Sequence, residues 1–511
     1  MKHPLKHRLV RSLMFGLASI TPFLLTSCGG ESGTAVGASA TPNPPPVATN
    51  ASSGANPVPA IDYVSPSCVP RGEQTLAGYG GHDRAELLLT GRNFLANSIV
   101  RWNGSERATA FLSNTQLTAQ ILPSDIASVG TVVVTVFNPA PGGGTSGAWI
   151  FTITAGGVGP QSVAVDPAGK FAYVADEGCG DGTFGYVSLY TIDANSGALA
   201  SIGPPALSGD EGAKFVAVSP DGRFVYLANW GEGDTGGSLS AFTINATTGA
   251  LTSLAWAPCV SPANPCLAPA SVAVHPSGKF AYAANEGGFA PTGVSVYTID
   301  AATGALTFKS SISAPGTGRA VTVAVDPSGR FAYVAALNDA AGSDDNVSTY
   351  KIDPTTGSLT YVSTVAAGSG PPSIAIDPSV KFLYVTNSGS NDVSMYTINS
   401  STGALTSLGT MSAGSGPSAI AIHPSGKFAY VTNSGSNDVS MYTINSSTGV
   451  NSRTGALTFL GTMSAGSGPS AIAIHPSGEF AYVTNSGSND VWTYSIDGAT
   501  GALMLMGTAG T

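Results

Sequence analysis

The chain has 511 residues, 42% of them hydrophobic and only 10% charged, with 65 Gly, 34 Pro and a formal net charge of −10. That balance excludes a disordered chain, and the Gly and Pro exclude a coiled coil or helical solenoid. Beyond the N-terminus no stretch stays apolar for the ~18 residues of a membrane span, and the acidic balance excludes a nucleic-acid partner held by a basic surface. What remains is a large, turn-rich, all-β protein.

Lys2, Lys6, Arg8 and Arg11 precede an apolar run from Leu13 to Leu25, the pattern of an export signal over residues 1–27. The run ends Leu25-Thr26-Ser27-Cys28-Gly29, which resembles a bacterial lipobox; an ordinary signal with a chance cysteine is the alternative. The resemblance implies lipidation of Cys28, a membrane anchor there and, without Asp at position 29, an outer-membrane address. Residues 28–58 are Gly, Ser, Ala, Pro and Asn with almost no charge and read as a tether. Cys68, Cys179, Cys259 and Cys266 remain, an even number suited to an oxidising compartment. Cys259 and Cys266 share a Pro-rich loop and are expected to pair. Cys68 with Cys179 would follow, although four cysteines allow three connectivities. No cysteine or histidine spacing suggests zinc.

Residues 59–155 show short alternating runs, among them Leu87-Leu88-Leu89-Thr90-Gly91 and Val132-Val133-Val134-Thr135-Val136. Their length and spacing predict a β-sandwich. The segments IDYVSP, LTGRNF, VRWNG and NPAPGGGTSGAWIFTI resemble the IPT/TIG immunoglobulin-like domain, which implies a spacer or binding module without catalytic residues.

From residue 158 to 511 the chain repeats. A proline closing each first run recurs at Pro167, Pro220, Pro276, Pro327, Pro378, Pro424 and Pro476, at spacings of 46 to 56 residues. Each of the seven copies carries four strand-length runs, so the expected fold is a seven-bladed β-propeller behind the sandwich, with a linear solenoid as competitor. Each copy has a central Ala in its first run, from Ala164 to Ala473, expected near the axis. Each has Phe-x-Tyr in its second, expected to face either side of the blade and fill the wedge between blades. His275, His423 and His475 share one turn slot and are expected around a rim, too far apart for a common metal. All four strands of a blade come from one copy, so the ring is expected to close without strand exchange.

The loops after the second strands are uniform Ser-Gly-Ser-Asn-Asp turns in copies five to seven and differ in copies one to four. There Glu177, Glu232 and Glu286 gather on one face, and from residue 160 onward the chain holds 23 acidic and 11 basic residues. Asp176, Asn229, Asn285, Asn387, Asn433 and Asn485 form a second ring at the ends of the second strands. These residues, with Glu177 and Glu232, are the candidate binding set for a small-molecule, glycan or protein ligand. The readings weighed against this are acidic loops that serve solubility and amides that bond their own turns. Calcium is the one cofactor weighed, at the channel mouth; no other metal is expected.

HPSGKFAYAANE, VSVYTIDAATGALT and DPSGRFAYVA resemble the seven-bladed β-propeller lactonase family, which includes 6-phosphogluconolactonase-like and carboxymuconate-cyclising enzymes. In that family a His, Glu and Arg cluster serves substrate carboxylates and proton transfer without a metal. The resemblance implies His275 and Glu286 as site residues, and Arg319 as the one arginine of the repeats placed to join them. Two functions follow. One is a lipid-anchored envelope protein presenting a binding propeller. The other is a lactone hydrolase or cycloisomerase with Glu286 as base and Arg319 as anion clamp.

Overall fold

A computed structural model describes residues 55–70, 86–154, 157–178, 184–231, 237–254, 268–287, 293–313, 318–337, 345–446 and 453–511, with the backbone of short strands between 257 and 265. The expected signal, Cys28, most of the tether, Cys179, Cys259, Cys266 and Glu232 lie outside them. No α-helix occurs among the described residues.

The first domain is two facing sheets. One runs in the order Ala60–Ser65, Glu86–Arg92, Gln116–Gln120, Thr109–Ser113; the other joins Cys68–Pro70, Trp149–Thr154, Gly130–Asn138, Ile99–Trp102 and Ser105–Glu106. Alternation decides which side chains go inward. Leu87 and Leu89 of one sheet meet Val134, Val136 and Phe151 of the other in a single core. Trp102 and Phe151 lie with ring centroids 5.0 Å apart inside it. Cys68, in the edge strand, is disulfide-bonded.

The repeats fold as seven antiparallel sheets built on four strands each, blades 1 and 2 carrying a further short strand, Ala206–Glu211 and Ala257–Pro258, paired with their third strands. Blade 1 is Pro160–Val165, Phe171–Asp176, Phe184–Ile192 and Leu199–Ser201; blades 2 to 6 begin with the strands Ala213–Val218, Pro269–Val274, Arg319–Val325, Ser373–Ile376 and Pro417–Ile422; and blade 7 is Pro469–Ile474, Phe480–Asn485, Asp490–Ile496 and Leu503–Gly510. Every blade keeps chain order from its innermost to its outermost strand. The first strand of blade 1 packs against those of blades 2 and 7, so the strands form a ring and not a solenoid. As expected, the ring closes without strand exchange. Second strands such as Phe224–Asn229 are buried at every position, as a strand covered on both faces must be.

One expectation about the aromatics is corrected. Phe and Tyr two residues apart point to the same face of a strand, so both turn toward the following blade. Tyr173 donates to the carbonyl of Gly249 at 3.0 Å, and a Cβ added to Gly249 would lie 2.4 Å from the Phe171 ring. Gly249 has φ +73°. The Phe-x-Tyr of one blade and the Thr-Gly turn of the next therefore form one interlocking unit. The central alanines, such as Ala164, are half-buried on the innermost strands.

Candidate functional site

The innermost strands begin on the face where the second strands end. At that mouth lies a cavity of about 310 Å³, lined by residues from all seven innermost strands, including Ser162, Lys214, Ser271, Thr322, Ser418 and Ser470. Loops after the second strands supply Glu286, Ser434 and Ser486. Most of the serine hydroxyls also tie neighbouring strands together. Ser271 Oγ accepts from Val323 N at 3.0 Å, Ser418 donates to Pro469 O at 2.7 Å, and Ser470 donates to Pro160 O at 2.6 Å across the closure of the ring.

Two ion pairs bridge blades at this mouth, their acids in equivalent slots and their cations two positions apart along the next blade's first strand. Glu286, just past the second strand of blade 3, accepts from Arg319 at the start of blade 4, at 2.9 Å; both side chains are about three-quarters buried. Glu177, the equivalent residue of blade 1, accepts from Lys214 at the start of blade 2, at 2.6 Å. Gln161 donates to the other Glu177 oxygen at 3.0 Å, and the Lys214 ammonium lies 5.5 Å from the centre of the Trp230 ring. In blades 5 to 7 the slot of Glu177 and Glu286 holds Ser388, Ser434 and Ser486, whose hydroxyls donate to Gly370, Gly416 and Gly468 carbonyls. The left-handed asparagines of the same loops, Asn391, Asn437 and Asn489, accept from the N–H of Gly416, Gly468 and Gly159. Uniform loops serve as clamps between blades, and the divergent loops carry the charged chemistry.

The profile described as "Lactonase, 7-bladed beta-propeller" matches residues 157–335, 310–413 and 409–511, well over half of the chain. The chain belongs to the seven-bladed β-propeller lactonase family. Among solved structures, this lactonase-family chain is similar to a putative 6-phosphogluconolactonase from Bacteroides fragilis (21% identity, TM-score 0.54, covering 64% of this chain and 91% of that one). It is also similar to the periplasmic gluconolactonase of Pseudomonas aeruginosa (20% identity, TM-score 0.55, covering 64% and 92%). At such identities these likenesses describe the fold. No curated protein matches the chain.

Within the lactonase propeller, Glu286 and Arg319 come together, while His275 stands elsewhere. His275 sits in the turn between the first and second strands of blade 3. Its Nδ1 shares a hydrogen with Ser277 Oγ at 2.8 Å, and its Nε2 lies 2.8 Å from the Gly329 carbonyl of blade 4. His423 and His475 make the same link to Gly478 and Gly169, both at 2.9 Å, so these histidines join blade to blade. Among the described residues no three of His, Cys, Asp or Glu come together for a metal.

The ring of Asp176, Asn229, Asn285, Asn387, Asn433 and Asn485 is buried, at 0–6% exposure. The amides donate inward: Asn229 to Ser240 at 2.7 Å, Asn387 to Ser394 at 2.9 Å and to Asp392 at 2.6 Å. Asp176 instead accepts from the Ser188 hydroxyl at 2.6 Å, and burial pushes its carboxyl up to about 7 against that hydrogen bond. The ring secures second strand to third. Lys214, Gln161 and Trp230 were not singled out by sequence reasoning. The available signal was positional, because the slot of Lys214 holds Ala270, Val321 or Pro372 in other blades.

Proposed function

We propose that this protein opens a small, uncharged lactone at the channel mouth, with Glu286 as the general base that activates water and Arg319 as the cation that orients it. The observation that carries this reading is the Glu286–Arg319 pair at 2.9 Å, whose carboxylate lines the cavity. A volume of about 310 Å³ is at the small end of ligand sites and suits one ring. The wall carries one ammonium and one carboxylate among its described residues, so it offers no excess of positive charge for a phosphorylated substrate. Family membership supports the same reading. The test is hydrolysis of a panel of five- and six-membered lactones followed by proton release, with Glu286→Gln as control. Turnover that Glu286→Gln abolishes supports the reading, and a wild-type rate no faster than background overturns it.

A second reading, a ligand-binding propeller without turnover, is favoured by the commitment of His275 to Gly329, since the mouth then lacks the histidine that the resemblance implies. Binding without hydrolysis in the same panel would select it.

We also propose export and lipid anchoring through Cys28 in the bacterial outer membrane, on the strength of the basic leader and the Leu-Thr-Ser-Cys run. Detergent partitioning of the native protein that Cys28→Ser abolishes would support it. An unmodified Cys28 in the mature chain would overturn it.

A further inference from the structure

Opening a lactone needs two functions, a base for water and a cation for the oxygen that becomes negative. As the water oxygen bonds to the carbonyl carbon, its proton passes to Glu286 and the carbonyl electron pair moves onto oxygen. The tetrahedral intermediate then expels the ring oxygen, which takes the proton from Glu286, leaving a hydroxyl and a carboxyl group that ionises to solvent. Throughout, negative charge gathers on the former carbonyl oxygen, and a preorganised donor there contributes most to the rate. Arg319 is engaged with Glu286 and belongs to the base half of this chemistry.

The other cation of the mouth is Lys214, which lines the cavity. Its support is built from three side chains on two blades. Glu177 accepts from Lys214 through one oxygen and from Gln161 through the other, so its carboxylate is fixed at both ends. The Trp230 ring lies within cation–π range of the ammonium, at 5.5 Å. An ammonium has three N–H donors, and Glu177 takes one. Lys214 itself is three-quarters buried, so the charge is held in place and not swept through solvent. Glu286 and Lys214 are the only charged groups on the described wall, one of each sign, from neighbouring blades 3 and 2.

We propose that Lys214 is the electrophilic residue of this site: its ammonium receives the charge that builds on the substrate carbonyl oxygen and ends on the product carboxylate. Glu177, Gln161 and Trp230 are its positioning residues. This rests on the lactone-opening reading, and the experiment separates the two.

The full mature chain would be compared with Lys214→Gln, Lys214→Arg and Glu177→Gln, reading kcat and KM on a turned-over lactone, calorimetric affinity for D-gluconate as a product-like probe, and melting temperature. Lys214→Gln should lower kcat about 100-fold with KM little changed, and weaken gluconate binding at least tenfold. Lys214→Arg should restore most of both, a recovery that a merely structural role would not require. Glu177→Gln should fall between, and serves as the second probe if Lys214→Gln does not fold. Wild-type kcat in Lys214→Gln overturns the proposal while leaving Glu286 as base. If the wild type opens no lactone, the earlier reading fails, and gluconate binding decides Lys214 by itself. Binding lost in Lys214→Gln supports the carboxylate-receiving role. Absent or unchanged binding overturns it.

Discussion

The hydroxyl of Tyr482 donates to the carbonyl oxygen of Gly197 at 3.1 Å, joining blade 7 to blade 1 across 285 residues of sequence. The same Tyr-to-Gly bond occurs at the other six blade junctions, from Tyr173–Gly249 to Tyr430–Gly501. At the closure it matters most, because no peptide bond links those two blades. Tyr482→Phe would leave a buried carbonyl without its donor, at a cost of about 1–3 kcal/mol. Gly197→Ala should cost more, since φ is +67° there and the new Cβ would lie 2.5 Å from the Phe480 ring. Urea unfolding of both variants checks the order.

Asp176 predicts a pH dependence. Its carboxyl is fully buried and stays protonated to about pH 7 in the folded state, whereas the unfolded chain releases that proton near the ordinary value of 3.8. The unfolded state therefore loses the proton first as pH rises. Stability contributed by this group falls from about pH 4 to pH 7 and stays low above it, by up to roughly 4 kcal/mol. Asp176→Asn, the residue present in blades 2, 3, 5, 6 and 7, should leave stability almost unchanged at pH 4 and raise it at pH 8. Equal effects at both pH values would refute this.

His275 is 7% exposed and committed to Ser277 and Gly329. His275→Ala should destabilise the propeller by about 1–3 kcal/mol through loss of buried hydrogen bonds, while kcat per folded molecule stays within twofold of wild type. A collapse of kcat in a variant of native melting temperature would instead place His275 in the chemistry.

Cys68 is half of a disulfide. Peptide mapping without reductant should find it joined to Cys179, with Cys259 joined to Cys266. Reduction should lower stability by about 2–4 kcal/mol.

The propeller was legible because its signals are local and repeated. Pro-x-Gly turns, Phe-x-Tyr and Thr-Gly recur often enough to count blades before any contact is known. The sandwich was legible from alternation at positions such as Leu87 and Leu89. The mouth was legible only in part. Glu286 and Arg319 stand 33 residues apart, and their slots could be aligned, so their meeting was within reach. Lys214 was not, since its importance comes from Glu177 in the preceding blade and Gln161 at that blade's first strand. The three histidines were read correctly as rim turn residues, and only the resemblance misled by implying His275 at the site, because a residue suited to proton transfer is equally suited to capping a turn and reaching the next blade's carbonyl.

The few charges and many glycines of this chain pointed to an all-β protein, and its repeated prolines and strand-length runs established the blade number and the side of the ring on which its variable loops open. These follow from short-range rules of alternation, turn chemistry and spacing. Which charges meet could not follow from them. The pairing of Glu177 with Lys214 and of Glu286 with Arg319 depends on how each blade is rotated against the next, and that rotation is set by packing between strands distant in sequence. At the channel mouth two of the acidic side chains, Glu177 and Glu286, are thereby matched by a cation from the following blade.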